Sequence, residues 1–242
     1  MSHLHLPDGV VPPVWIVLGF GAAVLLLLPA VRELRREEAR VQVPRIGIIS
    51  ACMLLAMGVP LGPLPVHLNL AVLAGILLGP RAGVLAVFIA NLILALMGHG
   101  GITVVGLNTL VVASEAVLGY YLFSAFKGKA RPGIAAAAAT VLALVFSLSL
   151  MIGVVGLTQV DPDLLVHRHL HGEEHAEAGS HDEVMPVLSL GRFARLVFAL
   201  GAVGMAAEAA VNSLIVAYLL KVRPGLLYGS RPPEHGVEEG KS

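Results

Sequence analysis

Residues 134–157 read IAAAAATVLALVFSLSLMIGVVGL, an apolar stretch without one charged side chain. About 20 such residues cross the hydrocarbon of a bilayer as a helix, so this stretch is long enough to span. Val14–Val31, Val104–Phe126 and Phe193–Leu220 approach or exceed the same length. Lipid supplies no partner for an unpaired N–H or C=O, so crossing segments are helices or strands of a closed barrel. These runs lack a barrel's alternation. Of 242 residues, 57% are hydrophobic and 13% charged, with mean hydropathy +0.85 and net charge zero; an average soluble domain carries about 25% charged residues. The expected fold is all-α, a polytopic integral membrane helical bundle.

Spans at 14–31, 46–60, 67–80, 83–98, 104–126, 134–157 and 193–220 make about seven transmembrane helices. Lys and Arg favour the cytoplasmic side of short connections. Here they cluster at 32–45, at Lys127-Gly128-Lys129-Ala130-Arg131 and from Lys221 onward. Seven crossings then put the N-terminus outside, Arg81 inside and the C-terminus in the cytoplasm. Thirteen of the 16 basic residues fall inside, the exceptions being Arg168, Arg192 and Arg195. No Lys or Arg precedes the first span, so it is expected to be a retained helix and not a cleaved signal peptide. The single Cys52 lies in an apolar run, which excludes an internal disulfide or a thiolate cluster and predicts a packing role.

Spans two to four are short and interrupted by Gly58-Val59-Pro60, Gly62-Pro63, Pro65, Gly79-Pro80 and Gly98-His99-Gly100-Gly101. Broken apolar segments are tolerated at membrane depth where they line a cavity or are buried in protein, and they often mark transporter binding sites. The turns 58–69 and 97–108 are therefore the region of interest, although Gly and Pro also serve simple tight turns. Residues 1–222 are expected to form one transmembrane domain. Within it, 158–191 is an extracytoplasmic loop holding five histidines and seven carboxylates, suited to loose recruitment of divalent cations. Residues 223–242 read as a disordered cytoplasmic tail.

On this topology nine of the ten histidines lie on the outer side, opposite most of the basic residues. His3 and His5 near the N-terminus, His67 and His99 are candidate metal ligands that could converge, with Asp8 orienting the N-terminal segment or an imidazole. Imidazole suits Ni, Co, Cu and Zn; the lack of thiolates argues against a cysteine-based copper or zinc site, and the turns have too few carboxylates for Ca or Mg. A terminal amine, a deprotonated amide and an imidazole form fused chelate rings whose tetragonal nitrogen geometry Ni(II) and Cu(II) favour. With Met1 retained, Met1-Ser2-His3 offers the amine, two amides and His3. With Met1 removed, Ser2-His3 offers one amide fewer and leaves a place for a remote imidazole, for which His67 is the candidate. His99 is read either as a ligand or as a group that orients one. The bland reading of His67 is a hydrogen-bonded interior histidine. Asn69, Asn91 and Asn108 are expected to make interhelical hydrogen bonds. Glu115 and Glu208 lie inside spans, where a carboxylate is costly and points to function. A packed structural carboxyl is the competing reading.

His5-Leu6-Pro7-Asp8-Gly9 resembles the near-terminal His-Ile-Pro-Asp-Gly signature of CbiM- and NikM-type cobalt and nickel substrate-binding components of energy-coupling-factor transporters. Pro65-Val66-His67-Leu68 with Leu77-Leu78-Gly79-Pro80 is similar to that family's Gly-His-Leu and leucine-rich Gly-Pro segments. Gly98-His99-Gly100-Gly101-Ile102-Thr103 and Gly106-Leu107-Asn108 are similar to its Gly-Gly-Ile-Thr and Gly-Ala-Asn elements, in the same order. The resemblance covers about residues 3 to 126 by motif and the remainder by topology.

It implies a multi-pass protein of a prokaryotic cell membrane that captures Co(II) or Ni(II) at the outer face. The partners it implies are a CbiQ/NikQ-like transmembrane coupling protein, a CbiO/NikO-like cytoplasmic ATPase and a small CbiN/NikN-like membrane subunit. ATP is used only by the partners, and no organic cofactor is implied. In the family the metal is held by the terminal amine, the amide and imidazole of the second residue, and the imidazole matching His67. Here His5 follows four other residues, so either it binds through its side chain or His3, after Met1 removal, takes the terminal position. Val66 and Leu68-Asn69-Leu70 replace the family's smaller flanking residues, which leaves the choice between cobalt and nickel open.

Two other readings compete: a self-contained metal permease or efflux channel lined by Glu115, Glu208 and the asparagines, and a metal-buffering or docking protein acting through the 158–191 loop. An enzyme is not expected. His171-Gly172-Glu173-Glu174-His175 matches a metallopeptidase pattern but lies in a loop with no apolar helix to enclose it. Gly236-Val237-Glu238-Glu239-Gly240-Lys241-Ser242 is one residue short of a phosphate loop and has no helix after it. Zero net charge and the absence of a basic, aromatic-interleaved face exclude nucleic acid as a partner.

Overall fold

The computed structural model describes residues 5–34, 39–58, 67–158, 190–223 and 225. Among them run seven helices: α1 Pro13–Leu34, α2 Ala39–Gly58, α3 Ala71–Leu78, α4 Pro80–Leu96, α5 Val105–Phe126, α6 Pro132–Thr158 and α7 Leu190–Val222. The described residues contain no strand, only an isolated bridge between Lys127 and Ala130 in the α5–α6 turn. Helices α1, α2, α5, α6 and α7 are each long and apolar enough to cross a membrane. The protein is an all-helical, multi-pass membrane protein, as its composition predicts.

Three of the seven expected spans differ from the helices found; span 83–98 corresponds to α4, whose 17 residues are fewer than in the five long helices. Span 46–60 begins earlier: α2 starts at Ala39 and carries Pro44 within it. Span 67–80 contains only the eight residues of α3, about 12 Å of helix at 1.5 Å per residue, too short to cross on its own. Residues 67–70 are irregular, and Gly79 (φ 85°, ψ 169°) ends α3 and starts α4. Glycine adopts that positive φ without a Cβ clash. At this turn α3 and α4 fold back on one another. A Cβ built on Gly83 would sit 3.1 Å from the Cα of Gly75, whereas residues eight apart in one straight helix lie about 12 Å apart.

Helix α5 is the centre of the bundle, packed against α1, α3, α4 and α6, while α7 lies on α6. Gly75 lets α3 approach until a Cβ there would overlap the carbonyl oxygen of Ala116, and Gly19 and Gly106 bring α1 close to the start of α5. Small residues give such close contact in membranes, where no hydrophobic drive separates helix from lipid. Apolar side chains such as Val17, Leu25, Ile48, Leu55 and Leu214 point outward. Cys52 is exposed as well, so the packing role read from its apolar surroundings is not what it does.

The two ends of the bundle differ. At one, Arg81 Nη1 donates to Glu33 Oε2 at 2.9 Å, joining the end of α1 to the α3–α4 turn. A cleft of about 290 Å³ there is lined in part by Gln42, Tyr120 and Tyr121. Glu33 near the end of α1, Arg81 at the start of α4 and the Tyr120–Tyr121 pair of α5 thus share one end. The N-terminal segment and the α4–α5 turn occupy the other.

Candidate functional site

Residues 5–12 form neither helix nor strand, so their backbone groups need partners elsewhere. Asn108, in the first turn of α5, supplies two: its Oδ1 accepts from Leu6 N at 2.8 Å and its Nδ2 donates to Leu6 O at 3.1 Å. Gly101 N donates to the same Leu6 carbonyl at 3.0 Å. The Leu6 side chain is fully buried in a cluster with Val104, Leu107, Leu144 and Phe193, which anchors the segment.

Asp8 completes the attachment. Its Oδ2 accepts from Ile102 N at 2.9 Å, its Oδ1 from Thr103 N at 2.8 Å, and Oδ1 also accepts from the Thr103 hydroxyl. Gly98, Gly100 and Gly101 permit this docking. The first two have φ of 84° and 89°, and a Cβ on Gly101 would overlap Asp8. A Cβ on Gly100 would touch the Cβ of His5 at 3.4 Å, placing His5 against the glycine turn. His5 is half-buried, with Nε2 shielded from solvent.

The second segment, residues 67–70, is held lower on α5. Asn69 Nδ2 donates to Glu115 Oε2 at 2.7 Å, and Ser147 Oγ of α6 donates to Glu115 Oε1 at 2.6 Å. From α7, Glu208 accepts Asn69 N at 3.2 Å and Leu70 N at 3.1 Å. Asn69, Glu115 and Glu208 are all fully buried. Leu70 has φ 61°, a left-handed conformation that costs a side-chain-bearing residue roughly 1–2 kcal/mol. The hydrogen bond at its N–H offsets part of that cost. His67 is half-buried at the head of this segment, with Nδ1 shielded.

Asn108 and Glu115 are seven residues apart, two helical turns, so they share one face of α5 about 10 Å apart. The segments bearing His5 and His67 are both tied to that face. His99 is exposed on the glycine turn, and its backbone N–H closes the end of α4 on Leu94 O at 2.9 Å. His3, most of the 158–191 loop and nearly all of the 223–242 tail lie outside the described residues. Among the described residues no three His, Cys, Asp or Glu side chains gather as a metal cage.

The expectation of interhelical bonds from the three asparagines is met by none of them among the described residues. Asn108 binds the irregular segment at Leu6, Asn69 reaches Glu115 of α5 from outside any helix, and Asn91, buried in α4, finds no partner for Nδ2 or Oδ1 among the described residues. The tie between Glu208 and residues 69–70 was not foreseen. A carboxylate inside a span signalled that something needed it, but no spacing links residues 139 positions apart.

The chain is similar to known proteins in sequence and in fold. The family model described as cobalt uptake substrate-specific transmembrane region, CbiM, matches residues 5–226. A protein of Haloquadratum walsbyi, whose name assigns it provisionally to metal transport, is 37% identical over 60% of this chain and 71% of its own. The fused nickel transport protein NikMN of Rhodobacter capsulatus is 34% identical over 46% of this chain and 33% of its own length. A solved transition metal transporter shares the fold at TM-score 0.72, with 23% identity over 90% of this chain and 93% of that one.

Proposed function

The chain belongs to the family of cobalt uptake substrate-specific transmembrane regions, CbiM, and on that premise we propose that it captures Co(II) or Ni(II) at the outer face of the membrane for ATP-driven uptake. One observation carries the reading. The N-terminal segment and the segment bearing His67 are fastened to the same face of α5, one at Asn108 and the other at Glu115. Nitrogen ligands from a chain terminus and one remote imidazole suit a tetragonal transition-metal site.

In this proposal the terminal amine, a backbone amide and the imidazole of His3 or His5 make the chelate, and His67 supplies the remaining place. Asp8 holds the segment in register through Ile102 and Thr103, and His99 is a further imidazole at the rim. The end carrying Arg81 and the basic connections faces the cytoplasm, in line with the preference of Lys and Arg for that side. Residues 1–222 then form the metal-capture domain, with the 158–191 loop outside and the 223–242 tail inside.

Uptake requires partners that hydrolyse ATP: a CbiQ/NikQ-like coupling protein and a CbiO/NikO-like ATPase. The fused name NikMN borne by one relative favours a NikN-like accessory subunit as well. Glu115 and Glu208 are both buried and bonded to the 69–70 segment, which leaves a permease path along them without an observation of its own.

In cells supplying the coupling protein and ATPase, His67→Ala and an N-terminal extension are each expected to abolish nickel and cobalt accumulation. Unchanged accumulation in both variants would overturn the proposal.

A further inference from the structure

We infer that Glu208 is a positioning residue for His67: its two carboxylate oxygens fix the segment that carries the imidazole, and so fix where a bound Ni(II) or Co(II) meets it. The inference rests on the reading of His67 as a ligand.

Residues 67–70 have neither helix nor strand to order them, and α3 begins at Ala71 without a side-chain cap. The first N–H groups of a helix lack intrahelical partners. Here the two N–H groups just before α3, those of Asn69 and Leu70, are met by the two oxygens of one carboxylate at 3.2 and 3.1 Å. A bidentate grip on successive N–H groups fixes both the position and the rotation of the chain two residues beyond His67. The Asn69 side chain adds a second grip on Glu115, which Ser147 holds in turn. Helices α5 and α7 thereby hold Asn69 and Leu70 directly, and α6 steadies Glu115.

In Glu208→Gln an NH2 group must face one of two backbone N–H donors, and one hydrogen bond is lost. Glu33, which meets Arg81 at the opposite end of the bundle and touches neither Asn69 nor Leu70, gives the control for the same replacement, Glu33→Gln.

The test is Ni(II) titration of the purified full-length protein in nanodiscs, with the visible absorption of the bound ion as a second readout and far-UV circular dichroism as the control for folding. Glu208→Gln is expected to weaken Ni(II) binding about tenfold or more and to shift the absorption band. Glu33→Gln is expected to stay within about twofold of wild type. The double variant His67→Ala/Glu208→Gln is expected to bind no more weakly than His67→Ala alone, because both act through one ligand.

Wild-type affinity in Glu208→Gln beside a weakened His67→Ala overturns the inference, as do equal losses in the two glutamine variants or additive losses in the double variant. A His67→Ala protein that binds like wild type overturns the ligand reading and this inference with it. Should Glu208→Gln fail to fold, Glu208→Asp takes its place; it keeps both acceptors but draws them back by one methylene. The same weakening is expected, and wild-type affinity overturns the inference.

Discussion

Asn108 and Glu208 serve irregular chain in the same way. Each answers backbone groups that no helix or strand completes, one for the N-terminal segment and one for residues 69–70. A buried N–H left without its acceptor costs about 1–3 kcal/mol. Asn108→Leu is therefore expected to speed amide exchange at Leu6 by about tenfold or more, since roughly 1.4 kcal/mol corresponds to a factor of ten. Exchange at the wild-type rate would show that Leu6 is held by its side chain alone. Asp8 was legible as an orienting group because the His-Leu-Pro-Asp-Gly run carries it, but its partners Ile102 and Thr103 were not. Sequence identifies a polar residue at apolar depth without identifying what faces it. Asn91 shows the limit: it raises the same expectation as Asn69 and is left without a partner among the described residues.

Among the elements, the long apolar runs were readable because a crossing helix needs little more than length and hydrophobicity, and α1, α5, α6 and α7 contain the four longest runs. Residues 67–80 misled for the same reason. Apart from His67 and Asn69 they are apolar, yet Leu70 and Gly79, both at positive φ, confine the helix to eight residues. The consequence is a short α3 folded against α4 and pressed onto α5 at Gly75. Any side chain there meets the Ala116 backbone, which cannot rotate out of the way. Gly75→Ala is expected to destabilise the protein by about 1–3 kcal/mol, the usual cost of overpacking a filled interior. Thermal unfolding in nanodiscs checks this, with Gly21→Ala as the control because a Cβ at Gly21 meets nothing within 4 Å. Equal transitions in the two variants would contradict the packing described for α3.

At the scale of the molecule, the described residues give the bundle two different ends. Glu33 and Arg81 mark one, and the docked segment bearing His5 and the glycine turn bearing His99 mark the other. What could not be read in advance is how the metal candidates are carried. His5 and His67 are 62 positions apart in sequence, and it is Asn108 and Glu115, two turns apart on α5, that hold their segments on one face. The central claim is that a free amino end and the His67 imidazole bind one transition metal between them, and Ni(II) titration of the purified full-length protein before and after their loss tests it most directly. The account predicts about one tightly bound Ni(II) per chain, weakened by at least about 100-fold when the amino end is acetylated and again in His67→Ala. Ni(II) affinity that is the same in the untreated, acetylated and His67→Ala proteins would contradict it.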